Sequence, residues 1–475
     1  PETALMVSKT APGGTSMSFR NVVGYVKVTP QFDCDMISLI SEDSSDLLAG
    51  TVSIDYNNGE PVVTVSDDGT NSVSISGDIV AGKTYYIAVL PGTLKSGFRL
   101  VFFAKDGKDA VKSTSKSLEI KRNTVINLGS VNSTALTQIP YVTFTADAEQ
   151  IFKMSLCDGI TSLQYSVNNA PWQDIVSNKE IVFGGSDGSL RLRGMSALGT
   201  AIKSYASGST EVYSSIKFGK KNVYVSCAGD IRTLVDYSNH ENAKTDRARF
   251  CYLFIRCANL LSTPDLPAMT LADDCYYAMF SGCTGLTTAP DLPATTLAYM
   301  CYCAMFSGCI GLTTAPDLPA TTLADYCYYV MFSNCKGLTT TPDLPAMTMA
   351  TGCYCSMFSN CTGLTSAPDL PAMTMATWCY EEMFSGCTGL TSAPVLPATT
   401  LNTDCYWSMF SGCTNLRLVR IGALKVPIKI TNGNKITAFD GWLDQCAAKG
   451  IIRKPSALTL PSSAVPSGWT VVDYD

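Results

Sequence analysis

Cys275-Tyr-Tyr-Ala-Met279-Phe280-Ser-Gly-Cys283-Thr-Gly-Leu286-Thr-Thr-Ala-Pro290-Asp291-Leu-Pro-Ala294 belongs to a 26-residue unit that runs six times, without insertion, through residues 260–415. Three ladders carry the register: Phe280, Phe306, Phe332, Phe358, Phe384 and Phe410; Cys283, Cys309, Cys335, Cys361, Cys387 and Cys413; and Pro264, Pro290, Pro316, Pro342, Pro368 and Pro394. A fixed period of this length marks a solenoid, because one unit cannot bury its apolar face alone and stacks on its neighbours to do so. The sequence therefore predicts an extended surface rather than an enclosed pocket.

Within a unit, Cys275, Tyr276, Met279, Phe280 and Cys283 stand at i, i+1, i+4, i+5 and i+8, the spacing of one inward stripe of a helix. In the second unit the helix is expected over residues 295–309, with Thr, Asp or Asn near its start as N-cap. Gly285, Gly311, Gly337, Gly363, Gly389 and Asn415 would end each helix with a left-handed residue. Proline cannot donate to a ladder, which leaves room for only a short strand, residues 286–289, before a turn at Pro-Asp-Leu-Pro. Short strand, turn, helix and stop are the anatomy of a leucine-rich-repeat-like horseshoe.

Twenty cysteines would fit a disulfide framework, but twelve of them are two positions repeated six times. On a helix Cys275 and Cys283 lie two turns apart, roughly 12 Å, beyond the ~7 Å that a bridge allows. Equivalent cysteines of adjacent units come closer, yet stacked side chains point in parallel. The thiols thus read as reduced, buried small hydrophobes. The Cys-x-Cys pairs Cys301/Cys303 and Cys353/Cys355 lack a second ligand pair, and the chain has one histidine, so no zinc spacing is present.

A chain of 475 residues exceeds one ordinary core, and about three domains are expected. Only 16% of residues are charged, the formal net charge is −6, and no polybasic stretch could neutralise a phosphate backbone. Nucleic acid is therefore excluded as the expected partner. No run of about 18 apolar residues is present, so no transmembrane segment is expected. The opening Pro1-Glu2-Thr3 reads as a mature or trimmed start, with any export signal or lipid anchor upstream.

Two β segments precede the repeats. Residues 1–132 read as an all-β sandwich, with strands at 22–28, 52–56, 62–65, 85–90 and 100–104 and a hairpin signal at Asn58-Gly59. After the polar stretch 132–138, residues 138–235 read as a smaller β-sandwich spacer. There Leu163-Gln-Tyr-Ser-Val-Asn-Asn-Ala-Pro-Trp172 gives strand, turn and strand, and Leu190 and Leu192 follow Asp187-Gly188. Residues 236–415 hold the repeats, since Phe250, Leu253, Phe254 and Cys257 keep the phase upstream of the six full copies. The phase is lost after Asn415, and residues 416–475 read as a C-terminal cap with a last amphipathic helix over 440–449.

Catalysis finds few parts. His240, the only histidine, lies in the polar stretch 238–245 and reads as a solvated linker residue, so Ser-His-Asp, Cys-His and His-ligated metal sites are all incomplete. A glycosidase would need two carboxyl groups a few ångströms apart in a cleft. The acids that stand out form a ladder instead, Asp265, Asp291, Asp317, Asp343 and Asp369, broken by Val395. It could bind an ion, but aspartate between two prolines is also ordinary turn chemistry. No Gly-rich phosphate loop joins a strand to a helix. No catalytic residue, cofactor or metal is expected.

Six copies in one chain reveal which positions packing fixes. The positions of Asp274, Met300, Tyr326, Gly352, Trp378 and Asp404 vary freely, as do those of Tyr277, Cys303, Tyr329, Cys355, Glu381 and Trp407. Free positions of a solenoid are its surface, yet several carry rings: Tyr277, Tyr299, Tyr326, Tyr329, Trp378 and Trp407. Such rings are enriched where proteins meet sugars or other proteins, although they also serve to cover a neighbouring unit. Cys303 and Cys355 share this phase and are expected to be more exposed than the other repeat cysteines.

The unit Cys-Tyr-x-x-Met-Phe-Ser-x-Cys-x-x-Leu-Thr-x-x-Pro-x-Leu-Pro-Ala resembles the BspA-type leucine-rich repeats of Bacteroidetes surface proteins, closely over residues 260–415. The closing Val465-Pro-Ser-Gly-Trp469-Thr-Val is similar to the way such chains end. Phe19-Arg-Asn-Val-Val, Leu48-Ala-Gly-Thr51, Tyr85-Tyr-Ile-Ala-Val-Leu-Pro91-Gly and Ile126-Asn-Leu-Gly129 resemble the fimbrillin-like domains of the same bacteria. The resemblance implies an exported outer-membrane lipoprotein that displays its repeats to host matrix, bacterial or glycan ligands in adhesion. A minor or tip subunit of a pilus, processed near Arg20, is the alternative, and a glycan-degrading enzyme the second alternative.

Overall fold

A computed structural model describes residues 6–9, 18–58, 60–105, 107–202, 213–431 and 434–474. The chain divides into two compact units, Pro1–Ile139 and Pro140–Asp475. Strands are the main regular structure of both, and among the described residues no helix is long and apolar enough to cross a membrane.

In the first unit the strand Cys34–Ser41 pairs antiparallel with Phe98–Ala104 and with Ser72–Ile79 in one sheet. Gly24–Pro30 lies in a second sheet, antiparallel to Tyr85–Val89 and parallel to Val125–Val131. Period-two alternation sends Val26, Val28, Ile87 and Val89 from one sheet, and Ile37, Leu39, Leu100 and Phe102 from the other, into a common core. The hairpin Val52–Asn57 to Glu60–Val65 closes at Asn57↔Glu60 around Asn58, which has φ of 53°. Gly59 of the expected turn lies outside the described residues.

In the second unit, Val142–Thr145, Leu163–Val167, Leu190–Gly194 and Ser226–Ala228 belong to a five-stranded sheet, and single bridges join Val225 to Leu260 and Asp230 to Asp265 at the start of the repeats. One hydrophobic core runs unbroken from Val142 through the Phe and Tyr ladders to Trp469. Asn168 and Asn169, at φ of 50° and 61°, turn the chain after Leu163–Val167 toward the two-residue strand Gln173–Asp174.

The repeats contain no helix, so the expected α/β class is corrected to β and turn. Residues 274–283 form a spiral of overlapping turns. Tyr277, Met279, Ser281 and Cys283 N–H groups donate three residues back, to Asp274, Tyr276, Ala278 and Phe280 carbonyls at 3.0–3.2 Å. The intervening N–H groups of Tyr276, Ala278, Phe280 and Gly282 donate instead to Cys301, Cys303, Met305 and Ser307 of the next unit at 2.8–3.0 Å. Every donor is used, half within the rung and half between rungs.

Two physical facts separate this spiral from a helix. Every fourth residue is left-handed, with φ of 54° at Asp274, 48° at Ala278 and 75° at Gly282, which puts a positive φ at the third position of alternate turns, as type II turns require. The inward stripe therefore has a period of four, and over nine residues four cannot be told from 3.6. The rungs are also too close: Phe306 and Phe332 ring centroids are 5.6 Å apart, whereas helix axes need about 8–10 Å.

The proposed helix-stop glycines serve another purpose. Gly285 is not left-handed, and a Cβ there would lie 2.5 Å from the Ala258 carbonyl oxygen of the preceding unit. Glycine is needed for close approach of two backbones. The left-handed role falls to Gly282, Gly308, Asn334, Asn360, Gly386 and Gly412. Nor is a strand formed at 286–289. Single bridges join Thr270 to Thr296 and Thr314 to Thr340, and the one strand inside the repeats, Val395–Leu396, pairs with Leu418–Ile421, whose residues include no proline.

The inward stripe itself is where the periodicity put it: Cys275, Tyr276, Met279, Phe280 and Cys283 are all fully buried. All twenty thiols are free. The Cys283, Cys309, Cys335, Cys361, Cys387 and Cys413 thiols each donate to the carbonyl of a phenylalanine one rung back, at 3.0–3.1 Å. Burial pushes the Cys309 and Cys387 thiols up to about 12.

Past Asn415 the ladder gains another rung in place of the expected helix over 440–449. Ser408, Phe410 and Gly412 N–H groups donate to Asp440, Trp442 and Asp444 carbonyls, Phe439 packs on Tyr406 at 5.7 Å, and Cys446 donates to the Phe410 carbonyl. The hairpin Ile428–Thr431 to Asn434–Thr437, inserted before this rung, hides the phase from the sequence. Parallel strands Leu418–Ile421, Gly450–Pro455 and Trp469–Tyr474 complete the end of the unit.

Candidate functional site

The turn spiral has an outward side, made by the positions that vary between copies. Trp378 and Trp407 are 37% and 41% exposed there. Tyr277, Tyr299, Tyr326 and Tyr329 are half-buried rather than exposed. The Tyr277 ring lies 5.3 Å from Tyr252, which covers the preceding rung. Tyr299, Tyr326 and Tyr329 form one cluster, with Tyr326 edge-on to both neighbours at 6.0 Å.

Gly352 makes room for that cluster: a Cβ at Gly352 would lie 2.4 Å from Tyr326 Cε1, so the ring rests directly on the backbone of the next rung. Variation among copies therefore does not always mean exposure. Asp274 is fully buried and Asp404 is 8% exposed. Cys303 and Cys355, expected to be the exposed cysteines, are 1% and 7% exposed. Burial, first of all, raises both thiols, Cys355 to about 12.

Carboxylates interleave with the rings. Asp273 and Asp325 flank Tyr299, and their side chains accept the backbone N–H groups of Tyr299 and Thr351 at 3.1 and 2.9 Å. Glu381 acts electrostatically on both Tyr326 and Tyr329. The Glu381 carboxyl is pushed up to about 7, by burial first and then by Glu382 and Asp404, both acidic. Glu382 accepts the Ser356 hydroxyl at 3.1 Å. Glu381-Glu382 occupies the same two positions of the unit as Tyr329-Val330, so Glu381 shares the phase of the rings.

The aspartate ladder lies on another side of the rung, at the proline corner. Asp265, Asp291, Asp317, Asp343 and Asp369 are all exposed. Its head is Asp230, buried, bridged to Asp265 and paired with Arg232 at 2.7 Å. Asp230, Asp265, Asp291 and neighbouring prolines line a cleft of about 390 Å³. The Asp265 carboxyl is raised, by burial and then by Asp230 and Asp291. Among the described residues no group of three or more His, Cys, Asp or Glu side chains is placed to hold a metal ion.

His240 is not a solvated linker residue. It is 4% exposed in the short turn His240–Asn242, because this stretch folds against the repeats, where Thr245 donates to the Thr270 carbonyl. Burial lowers its basicity, and its Nδ1 has no hydrogen-bond partner.

Neither a family model nor a curated protein matches the chain. A solved leucine-rich repeat protein from Bacteroides ovatus matches at 17% identity over 48% of this chain and 73% of that one, with a TM-score of 0.22.

Proposed function

We propose that this chain is a binding protein of the cell surface, in which a solenoid of BspA-type leucine-rich repeats presents the outward aromatic side of its rungs to a protein or glycan ligand. The observation that carries this reading is the exposure of Trp378 and Trp407 at positions that packing leaves free. Large rigid rings at a surface cost solvation and contribute much contact area for little entropy, which suits recognition. Adhesion, export, a fimbrillin-like front domain and an outer-membrane anchor belong to the same reading and come from the resemblance of the repeats and of the first β segment. Affinity in this reading comes from extended contact, without catalysis.

The test is binding of the chain to a panel of glycans and extracellular-matrix proteins, with a Trp378→Ala/Trp407→Ala variant alongside. Saturable binding that weakens at least about tenfold in the variant is expected, as for aromatic anchors at interfaces. Saturable binding that the variant retains would move the ligand elsewhere on the molecule.

A further inference from the structure

We infer that the proline corner of the repeats and the open face of the C-terminal sheet together form an interface for a second copy of this chain, with a two-fold axis at Val395. This interface lies on a different side of the rung from the aromatic surface and does not depend on the binding role proposed above.

One column of side chains crosses both regions. The period of 26 stacks Asp265, Asp291, Asp317, Asp343 and Asp369 in consecutive rungs and puts Val395 in the sixth. Strand register continues the column from Val395 to Arg420, Arg453 and Val472. All of these side chains are exposed. The column is therefore acidic for five rungs, neutral at Val395 and basic for the next two. Arg420 lies over the Tyr474 ring at 4.8 Å, and among the described residues neither it nor Arg453 pairs with a carboxylate. Arg420 is two rungs from Asp369, roughly 10 Å at the spacing of paired strands, too far for an ion pair within the chain.

The same face carries aliphatic side chains. On the parallel strands Val395–Leu396, Leu418–Ile421, Gly450–Pro455 and Trp469–Tyr474, alternation sends Leu396, Val419, Ile421 and Ile452 inward. Val395, Leu418, Ile451 and Val472 point outward and are 40–53% exposed. Parallel sheets are found almost only with both faces covered, and contiguous aliphatic surface marks a contact. In the preceding rungs the position of Val395 is held by aspartate, which suits solvent.

Charge order selects the arrangement of the two copies. A two-fold axis along the column would set every aspartate against itself. A two-fold axis along the strand at Val395 reverses the order of rungs instead, so that Val395 meets Val395, Arg420 meets Asp369 of the second copy, and Arg453 meets Asp343 of the second copy. Four ion pairs then flank an apolar centre. The seven rungs from Asp317 to Val472 span about 30 Å, and a contact ~20 Å wide covers roughly 600 Å² per copy, the low end for a specific complex. Exposed ion pairs add little each, so the expected Kd is on the order of 10 μM.

The experiment is sedimentation velocity of the whole chain under reducing conditions, at concentrations spanning that Kd and at two ionic strengths. Reversible dimerisation that weakens with salt is expected. Arg420→Glu/Arg453→Glu and Asp343→Lys/Asp369→Lys should each weaken it at least about tenfold, since like charges then face each other. Mixing these two variants should restore dimers to within about threefold of the parent, because every pair again joins opposite charges. Val395→Asp, which carries the aspartate ladder onto the axis, should weaken dimerisation by about tenfold as well. All five positions are exposed, and circular dichroism melts establish that the variants are folded. A parent that stays monomeric throughout, a dimer that the variants leave unchanged, or a mixture that fails to recover would each overturn the inference. Trp378→Ala/Trp407→Ala should dimerise as the parent does, so self-association and ligand binding fail separately.

Discussion

Along the inward side of the repeats, the five steps from Phe280 to Phe410 measure 5.6 or 5.7 Å with planes within 10° of parallel, whereas Tyr299, Tyr326 and Tyr329 on the outward side meet at 6.0 Å and 81°. Both sets of rings hang on the same spiral, three to seven residues apart. The inward rings are identical because each is wedged between copies of itself at a spacing fixed by inter-rung hydrogen bonds. The outward rings differ because nothing on that side must repeat. Identity between copies measures packing, whereas difference marks positions that repetition does not fix, some of them buried, such as Asp274 and Cys303.

The sharpest way to break this comparison is Phe332→Ala. The ring is fully buried between Phe306 and Phe358, and its removal should cost about 3–5 kcal/mol, read as a fall in the denaturant midpoint. Tyr329→Ala, three residues away and half-buried, should cost no more than about 1–2 kcal/mol. Equal costs would mean that the outward cluster is packing after all.

Why the inward side was legible and the rung conformation was not follows from the same residues. Cys275, Tyr276, Met279, Phe280 and Cys283 announce burial through any regular backbone that returns every fourth residue. They do not announce which backbone, because a nine-residue stripe fits both helix and turn spiral. One signal pointed the right way: Gly282, Gly308, Asn334, Asn360, Gly386 and Gly412 put glycine or asparagine inside the supposed helix in every copy, where each would be unfavourable. Of the candidate site, the rings were legible as free positions. The acids became meaningful only once stacking set Glu381 beside Tyr326 and Tyr329, whose side chains come from different units.

The cysteine ladder gives a second, smaller contrast. Cys335 donates its thiol to the Phe306 carbonyl, which already accepts the Cys309 N–H at 3.0 Å. Cys335→Ala loses a weak second bond and leaves a small void, and should cost about 1–2 kcal/mol in the same measurement. In the intact chain a thiol-specific reagent at pH 8 should label Cys446 first, the only cysteine that is not fully buried. Rapid labelling of several repeat cysteines would contradict the packing described for the inward side.

Tyr328 sharpens the comparison from the opposite direction. Its hydroxyl is buried in the stacked column between Tyr302 and Tyr354 with no hydrogen-bond partner. Tyr328→Phe keeps the ring and removes the unsatisfied group, so stability should rise by about 1 kcal/mol. Tyr329→Phe, on the outward side, should not raise it.

A last contrast is a pH dependence at Glu381. Its carboxyl titrates near 7 in the folded chain, raised by burial and by Glu382 and Asp404, against an ordinary value of 4.5. Between those values the folded chain holds a proton that the unfolded chain has released, so stability falls as pH rises from about 4.5 to 7 and stays lowered above it. The melting temperature of Glu381→Gln should therefore exceed that of the parent at pH 8 and converge with it near pH 4. Parent and variant melting alike at both pH values would show that burial and the neighbouring acids do not raise this carboxyl in the folded chain.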